Sequence, residues 1–500
     1  MKKVVVVGAG IAGLSAAIYA QRNGFDVTLC EQHSIAGGMC TSWRRSGYLF
    51  EGAVHWLSGS NPATSLYQLW KETGALHDDV QVYYHEVFNS VDWEGQTIYL
   101  YRDIARTAEH MLAVSPKDKR RIRQLVSDVK AFSKLKMPVS DIKSVKSPNS
   151  RQVAFRTILQ MIPLIGRFIR LHSMSCREYA DQFKHPGLQR MFRVVPADDY
   201  SAVALIISLA TLNTGDGGYP EGGSLGMISR MQKTFEDLGG KLLLNTPVKK
   251  VNIKDRAVTG ITLENSILAA DAVIVTQETI AALDNLFDVP LTDSWTKAIR
   301  KNARHEVCTF ACVGIRGTIP EPALHAWTLN EPVTYAGITM REISFYSYGR
   351  YKGYAPEGCC ALTSMLMGDT YDFWKQAQQE GRYEQEKQAL ADQLKRALCQ
   401  KYPHLDGYIE VIDIATPLTY ERYTGACHGS WMTKMYKKEK RKVYPGFLDS
   451  VSGLYFAGHR IKVPGGLPVA LKSGRRAAQM VCRQFNIEFN SSAKTTSHRP

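Results

Sequence analysis

Apolar residues run unbroken from Val4 to Val7 and stop at the glycine-rich stretch Gly8-Ala9-Gly10-Ile11-Ala12-Gly13. An unalternating run this short predicts a strand buried on both faces, and the glycines predict the turn that ends it. A helical stretch follows, and the apolar run DVTLCE predicts a second strand ending on Glu31. Near the other terminus, Leu454 to Ala457 read as a strand, Gly458 as a turn and Pro464 to Pro468 as a loop. Ala470, Leu471, Ala477, Ala478 and Val481 then mark one helix. Between these ends, helical character begins at AEHMLAVS, and KDKRRIRQLVSDVKAFSKL predicts a basic amphipathic helix. SAVALIISLATL, residues 201–212, predicts a core helix, and GGKLLLNTPVKKV with AVTGITLEN predicts a strand pair. EVCTFACVGI and EISFYSYG have β character, and residues 372–401 read as one charged helix. The tail NSSAKTTSHRP has little apolar content, so residues 486–500 are expected to be disordered.

The first turn also carries chemistry. Gly8 allows the tight strand-to-helix turn, Gly10 lets the backbone approach a pyrophosphate, and Gly13 lets helix and strand pack closely. Ile11 and Ala12 open the helix, whose N-terminal N–H groups are free to meet phosphate. Glu31 stands eighteen residues past Gly13, where a carboxylate accepts hydrogen bonds from ribose hydroxyls and repels a 2′-phosphate. Strand, glycines, helix and acid together predict dinucleotide binding, with FAD or NAD favoured over NADP. Gly37-Gly38, followed by Met39, reads either as an ordinary turn or as a second loop brought close to the cofactor. Gly465, Gly466, Leu467 and Pro468 put another loop at a helix N-terminus, suited to a polarised ring oxygen or a ribitol chain.

Composition narrows the class. A chain of 500 residues exceeds one compact core, so two domains are expected. The opening MKK and the apolar run after it imitate a secretory leader, but they contain the whole phosphate-binding turn and no small-residue cleavage pattern. A cytoplasmic protein is expected, with peripheral attachment to the inner face of the membrane. The 10 cysteines show no repeated metal-ligand spacing, so neither a metal site nor structural disulfides are expected. The formal charge of +15 gathers in three clusters. These are Lys117 to Arg123, the group Lys134, Lys136, Lys143 and Lys146, and Tyr436 to Lys442. RTILQMIPLIGRFIRLH, residues 156–172, is apolar with flanking Arg156, Arg167 and Arg170, a composition suited to a membrane interface but too short to span one. A buried helix-turn with solvated arginines is the other reading. No aromatic-basic platform or reading helix accompanies the charge, which excludes nucleic acid.

Taken with the N-terminal unit, GLYFAGHRIKVPGGLPVALKSGRRAAQMVC resembles the flavin-closing motif of the FAD-dependent amine oxidase and phytoene desaturase superfamily. Within it the chain is most similar to the branch of phytoene desaturases, carotenoid isomerases and retinol saturases. Tyr219 to Ser224 resembles that family's turn before a helix, and residues 416–431 resemble its run before the closing motif. The resemblance implies an α/β fold: a discontinuous Rossmann-like FAD domain from residues 1–75, 215–285 and 445–485. Residues 76–214 and 286–444 would form an inserted mixed α+β substrate domain. It implies that the backbone of Val248 meets the adenine. It also implies hydride exchange at flavin N5 with an apolar polyene or isoprenoid, by desaturation, saturation or cis–trans isomerisation. No second G-x-G-x-x-G occurs, so a quinone, oxygen or another electron partner is expected rather than a built-in NAD(P)H site. Two positions depart from the family: Met39 replaces a frequent arginine, and His459 follows the closing strand where an acid is common. His459 could hydrogen-bond the cofactor or sit exposed in its turn.

Catalytic candidates are few. Glu51 and His55 follow the Gly37-Gly38 loop, and a histidine there could orient or protonate substrate, although a packed structural histidine is the more common case. Asp198-Asp199-Tyr200 reads as the N-cap of the following helix. Cys427-His428 could face the flavin ring. The alternative activity on this scaffold is an FAD-dependent amine oxidase releasing hydrogen peroxide.

Overall fold

In a computed structural model, residues 1–135, 139, 141–142, 161–194, 198–320 and 324–492 are described. Five parallel strands form one sheet in the spatial order Leu454–Phe456, Ala272–Val275, Lys3–Val7, Asp26–Cys30, Lys241–Leu243. Lys3–Val7 lies in the middle with Val4 to Val7 buried, which is why its sequence does not alternate. The helix Ile11–Arg22 is buried from Ile11 to Ala20 because it is enclosed on more than one side. The closing helix Leu467–Gln484 packs so tightly on it that a Cβ at Gly474 would lie 2.2 Å from the Ala12 carbonyl oxygen. The expected strand pair divides: Lys241–Leu243 joins the parallel sheet, while Lys250–Lys254 pairs antiparallel with Ala257–Thr262.

A second, seven-stranded sheet runs in the order Ile409–Ala415, Cys308–Arg316, Cys359–Met367, Ile338–Ser347, Leu324–Tyr335, Val87–Trp93, Gln96–Tyr101. Its ladders are antiparallel except that between Leu324–Tyr335 and Val87–Trp93, which is parallel. The period of two along its strands separates two environments. Phe345, Leu362 and Leu366 face a core with Leu390, Leu394 and Leu398 of the helix Tyr383–Lys401. Tyr346, Thr363, Met365 and Met367 face a cavity instead. A helical lobe, which includes Lys119–Ser133, Ile165–His172, Pro186–Val194 and Ala202–Asn213, packs around Leu125, Met191 and Ile206.

Several expectations are corrected. The charged stretch at 372–401 is two helices, Tyr371–Gln379 and Tyr383–Lys401, because Gly381 between them takes a left-handed φ of 74°. The tail is ordered through residue 492: Phe489 is buried against Tyr19, and Asn490 donates its N–H to Asn23 Oδ1 at 2.6 Å. Residues 493–500 lie outside the described residues. The helix after Asp198-Asp199-Tyr200 starts at Ala202 with Ser201 as N-cap. Asp198 is drawn off by Arg177 at 2.6 Å, and Asp199 sits 3.4 Å from Lys434.

In the basic apolar segment, Ile165–His172 is helical after a tight turn at Ile162–Leu164; Arg156 and the positions through 160 lie outside the described residues, as do Lys136, Lys143 and Lys146. Leu164 and Leu171 point inward, while Ile162, Ile165 and Ile169 stand 56%, 51% and 62% exposed. Arg167 and Arg170 are not freely solvated; both pair with buried Asp128 of the neighbouring helix, Arg167 at 2.7 Å and Arg170 at 2.5 Å. No helix among the described residues is long and apolar enough to cross a membrane.

Candidate active site

A cavity of about 910 Å³ is lined by residues of both sheets. At one end it meets Val7 and Cys30, the carboxyl ends of two adjacent parallel strands, where open α/β sheets take their ligands. Gly8 turns the chain there at φ +96°, and Gly10 caps the first helix without a side-chain hydrogen bond, leaving its N-terminal N–H groups free. Gly13 is absent from the wall and serves packing: a Cβ on it would lie 1.8 Å from the Gly8 carbonyl oxygen. Gly37 donates its N–H to the Ala9 carbonyl at 2.9 Å, so the Gly37-Gly38 loop lies against the first turn.

Glu31 is buried at the same end. Its Oε2 accepts from the Ala9 N–H at 2.8 Å and its Oε1 from the His33 N–H at 2.9 Å, which leaves lone pairs on both oxygens toward the cavity. Gly8, Gly10, Ile11, Ala12, Gly37, Gly38, Met39 and Val248 all line this end. From the closing segment come Gly458, His459, Gly465, Gly466, Leu467 and Pro468. Gly466 caps the closing helix, again with no side-chain bond, so two uncapped helix N-termini open on one cavity.

The remainder of the wall is different in kind. Phe88, Val194, Ile207, Leu324, Met365, Met367, Trp431, Met432 and Met435 give it an apolar surface, with Tyr200, Tyr346 and His55 among them. The helix Ala202–Asn213 is therefore not wholly core: Ala204, Ile207 and Ser208 face the cavity. His55 has Nδ1 3.2 Å from the Tyr348 hydroxyl and Nε2 3.2 Å from Met365 Sδ. Burial pushes its pKa down to about 4, so the ring is neutral at pH 7. The charged residues of the wall, among those described, are Glu31, Lys249, Glu278 and Arg460, all from the parallel-sheet half.

A model of the flavin-containing amine oxidoreductase family matches residues 11–482. The chain belongs to that family. It is an FAD-dependent oxidoreductase. A 1-hydroxycarotenoid 3,4-desaturase from a Flavobacterium species is 23% identical over 520 residues, covering 96% of this chain and 99% of the relative. A lycopene-forming phytoene desaturase from a Paracoccus species is 26% identical over 281 residues, 54% of each chain. The solved structure of cyclohexylamine oxidase from Brevibacterium oxydans matches with a TM-score of 0.58 over 97% of this chain and 99% of that one, at 15% identity. That likeness describes the fold.

The residues present fit FAD. Glu31 retains acceptors for a ribose, and the uncapped first helix offers donors to a pyrophosphate. The departures from the family pattern have local answers. Met39 lines the cavity where an arginine is frequent, while Arg460 brings a buried guanidinium whose Nη2 has no hydrogen-bond partner. Its ion-pair partner is Glu278, buried on the turn after Ala272–Val275. Sequence reasoning missed this pair, because nothing in the chain links positions so far apart. His459 is not an exposed turn residue. It faces the cavity with Nδ1 buried and unpartnered, and burial, aided by the Arg460 charge, lowers its pKa to about 3.

The other candidates fall outside the wall. Glu51 is fully buried behind it and accepts from the N–H groups of Ala53, Val54 and Ser224 and the Tyr219 hydroxyl at 3.0–3.1 Å. It clamps the segment before His55 to the turn that opens the helix Gly223–Asp237. Cys427 and His428 also stand outside the wall, and burial raises the Cys427 thiol. With His305 they bring three potential ligand atoms within 4.8 Å. The two imidazoles, however, stack face to face, with centroids 4.4 Å apart at 24°. Their in-plane lone pairs then run side by side rather than converging on one ion, so the cluster carries no metal assignment.

Proposed function

We propose that this flavoenzyme desaturates a long apolar polyene taken up from a membrane. One observation carries the reading: every charged side chain of the described wall lies in the parallel-sheet half, and the rest is mainly thioether, aromatic and aliphatic, its polar groups, such as His55, Ser208, Ser344 and Thr363, being uncharged. A cationic amine would be stripped of water there with no carboxylate to meet it, which costs several kcal/mol. A polyene loses nothing polar and gains contact with Met365, Met367, Met432 and Met435, whose flexible chains conform to a long ligand. The two desaturase relatives support the choice of substrate class.

Bound FAD supplies a two-electron acceptor. Glu31, Val248, His459, Arg460 and the two helix N-termini hold it; the apolar wall orients the polyene and excludes water. His55, neutral at pH 7, carries no charge to attract an anion.

The exposed stripe Ile162, Ile165 and Ile169 supports docking to lipid. The basic segment 436–442 lies beside it, with Lys438 donating its N–H to the His172 carbonyl at 2.8 Å. The same helix packs against Ala202–Asn213, which lines the cavity, so lipid contact and substrate uptake share one lobe.

An anaerobic absorbance spectrum, with carotenoid, retinoid and isoprenoid substrates in detergent, tests the reading. Bleaching of the flavin band by a polyene, with a product two hydrogens poorer, is expected. Bleaching by simple amines alone, with peroxide on admitting air, would establish the amine oxidase instead. A polyene product of unchanged composition would mean isomerisation. Adding a quinone or oxygen to the bleached protein identifies the electron acceptor.

A further inference from the structure

Desaturation leaves a proton to be removed from the water-poor cavity, and His55 has both ring nitrogens engaged, Nδ1 by the Tyr348 hydroxyl and Nε2 by Met365 Sδ. A second route starts at the seven-stranded sheet. Tyr346, near the end of the strand Ile338–Ser347, faces the cavity. Its hydroxyl lies 3.1 Å from that of Tyr351, and the Tyr351 hydroxyl bonds Nε2 of His85. Tyr351 is buried and is not part of the cavity wall, and His85 is half-exposed between the strands Val82–Tyr83 and Val87–Trp93. The three groups therefore connect the cavity to the outside.

Resting on the reading above, we propose that Tyr346, Tyr351 and His85 form a proton exit for the desaturation step. One substrate C–H bond breaks with both its electrons going to the cofactor. The neighbouring C–H bond leaves its electron pair in the new C=C bond and gives its proton to the Tyr346 oxygen. The Tyr346 proton moves to Tyr351, the Tyr351 proton to His85 Nε2, and His85 releases one proton to water. The substrate is oxidised by two electrons and the cofactor reduced by two.

The surroundings suit this direction. Burial raises the Tyr346 pKa to about 12 and raises Tyr351 further, so both stay protonated and can pass a proton on without holding a charge. Burial first, then the charges of Arg350 and Arg102, lowers His85 to about 4, so it rests neutral and sheds a proton readily. Tyr219 stacks on Tyr351 at 4.2 Å and Tyr83 meets its ring edge-on at 5.3 Å, fixing the middle member. Burial, and after it the Glu51 carboxylate, raises Tyr346, Tyr348 and Tyr354 and keeps these phenols neutral.

Tyr351→Phe is the decisive variant, because it cuts the chain without touching the cavity wall. We expect polyene-driven flavin bleaching to slow by about 100-fold, the usual scale of a positioned proton acceptor, with substrate Kd and flavin content unchanged. His85→Ala should slow likewise and recover with added imidazole, a response that lost packing would not give. In substrate-free protein, ¹⁵N NMR should find His85 neutral at pH 7 with Nε2 unprotonated. Tyr351→Phe and His85→Ala variants that keep the wild-type rate and solvent isotope effect would overturn the relay alone, as would a cationic His85. Wild-type protein that no polyene bleaches would overturn the functional reading and the relay with it.

Discussion

Replacing Ile162, Ile165 and Ile169 together by serine tests the lipid-facing surface. All three side chains are about half or more in water in the folded protein, at 56%, 51% and 62% exposure. Burying a whole isoleucine is worth about 1.5–3 kcal/mol, so the exposed part of each contributes about 1–1.5 kcal/mol on entering hydrocarbon. The triple variant should therefore lose about 3–4 kcal/mol of binding, a drop of roughly 10²–10³-fold in partitioning. Folding should hardly change, because the inward anchors Leu164 and Leu171 and the Asp128 ion pairs remain. Cosedimentation with phosphatidylcholine vesicles reads the loss directly. Anionic lipid should add binding through the 436–442 segment that salt removes, whereas the isoleucine contribution should persist in salt. A triple variant that sediments as well as wild type would refute the assignment, as would wild-type protein that stays in the supernatant at every salt concentration.

Glu51→Ala should cost about 3–5 kcal/mol, because it strands buried donors from Ala53, Val54, Ser224 and Tyr219; an unchanged thermal midpoint would return Glu51 to the functional candidates. Gly13→Ala should abolish stable FAD retention, since the added methyl collides with the Gly8 carbonyl at the phosphate-binding turn; flavin content after gel filtration measures it. His55 and His85 near 4 and His459 near 3 sit below the usual 6.5, so the unfolded chain binds protons that the folded one does not. Their contribution is fully present above pH 6.5 and is lost as pH falls through about 4 for His55 and His85 and about 3 for His459. The melting temperature should drop steadily across that window, and a flat profile from pH 7 to 4.5 would contradict the buried-neutral assignment.

The parallel sheet was legible because its signals are local. Gly8, Gly10 and Gly13 answer to backbone geometry within a few residues, and an unbroken Val4–Val7 run has few stable homes other than the middle of a sheet. The break at Gly381 was local too, and a glycine inside a charged helical pattern could have signalled it. Residues 486–492 of the tail were misjudged because Phe489 and Asn490 dock onto the first helix, and average polarity hides single anchors. Asp198 resembled a cap until Arg177 claimed it from another helix.

By itself, then, the sequence determined the nucleotide turn, the acid at Glu31 and the closing loop at Gly465 to Pro468, all set by backbone requirements over short spans. Tertiary structure alone decided that Arg460 meets Glu278, that His459 turns a buried Nδ1 into the cavity wall, and that Glu51 lies behind that wall, bonded to the Ser224 N–H. It also brought Tyr346, Tyr351 and His85 into one chain from separate strands and loops. The physical reason is that burial and long-range partnership fix the charge and role of a polar side chain. Neither is encoded by its neighbours in sequence.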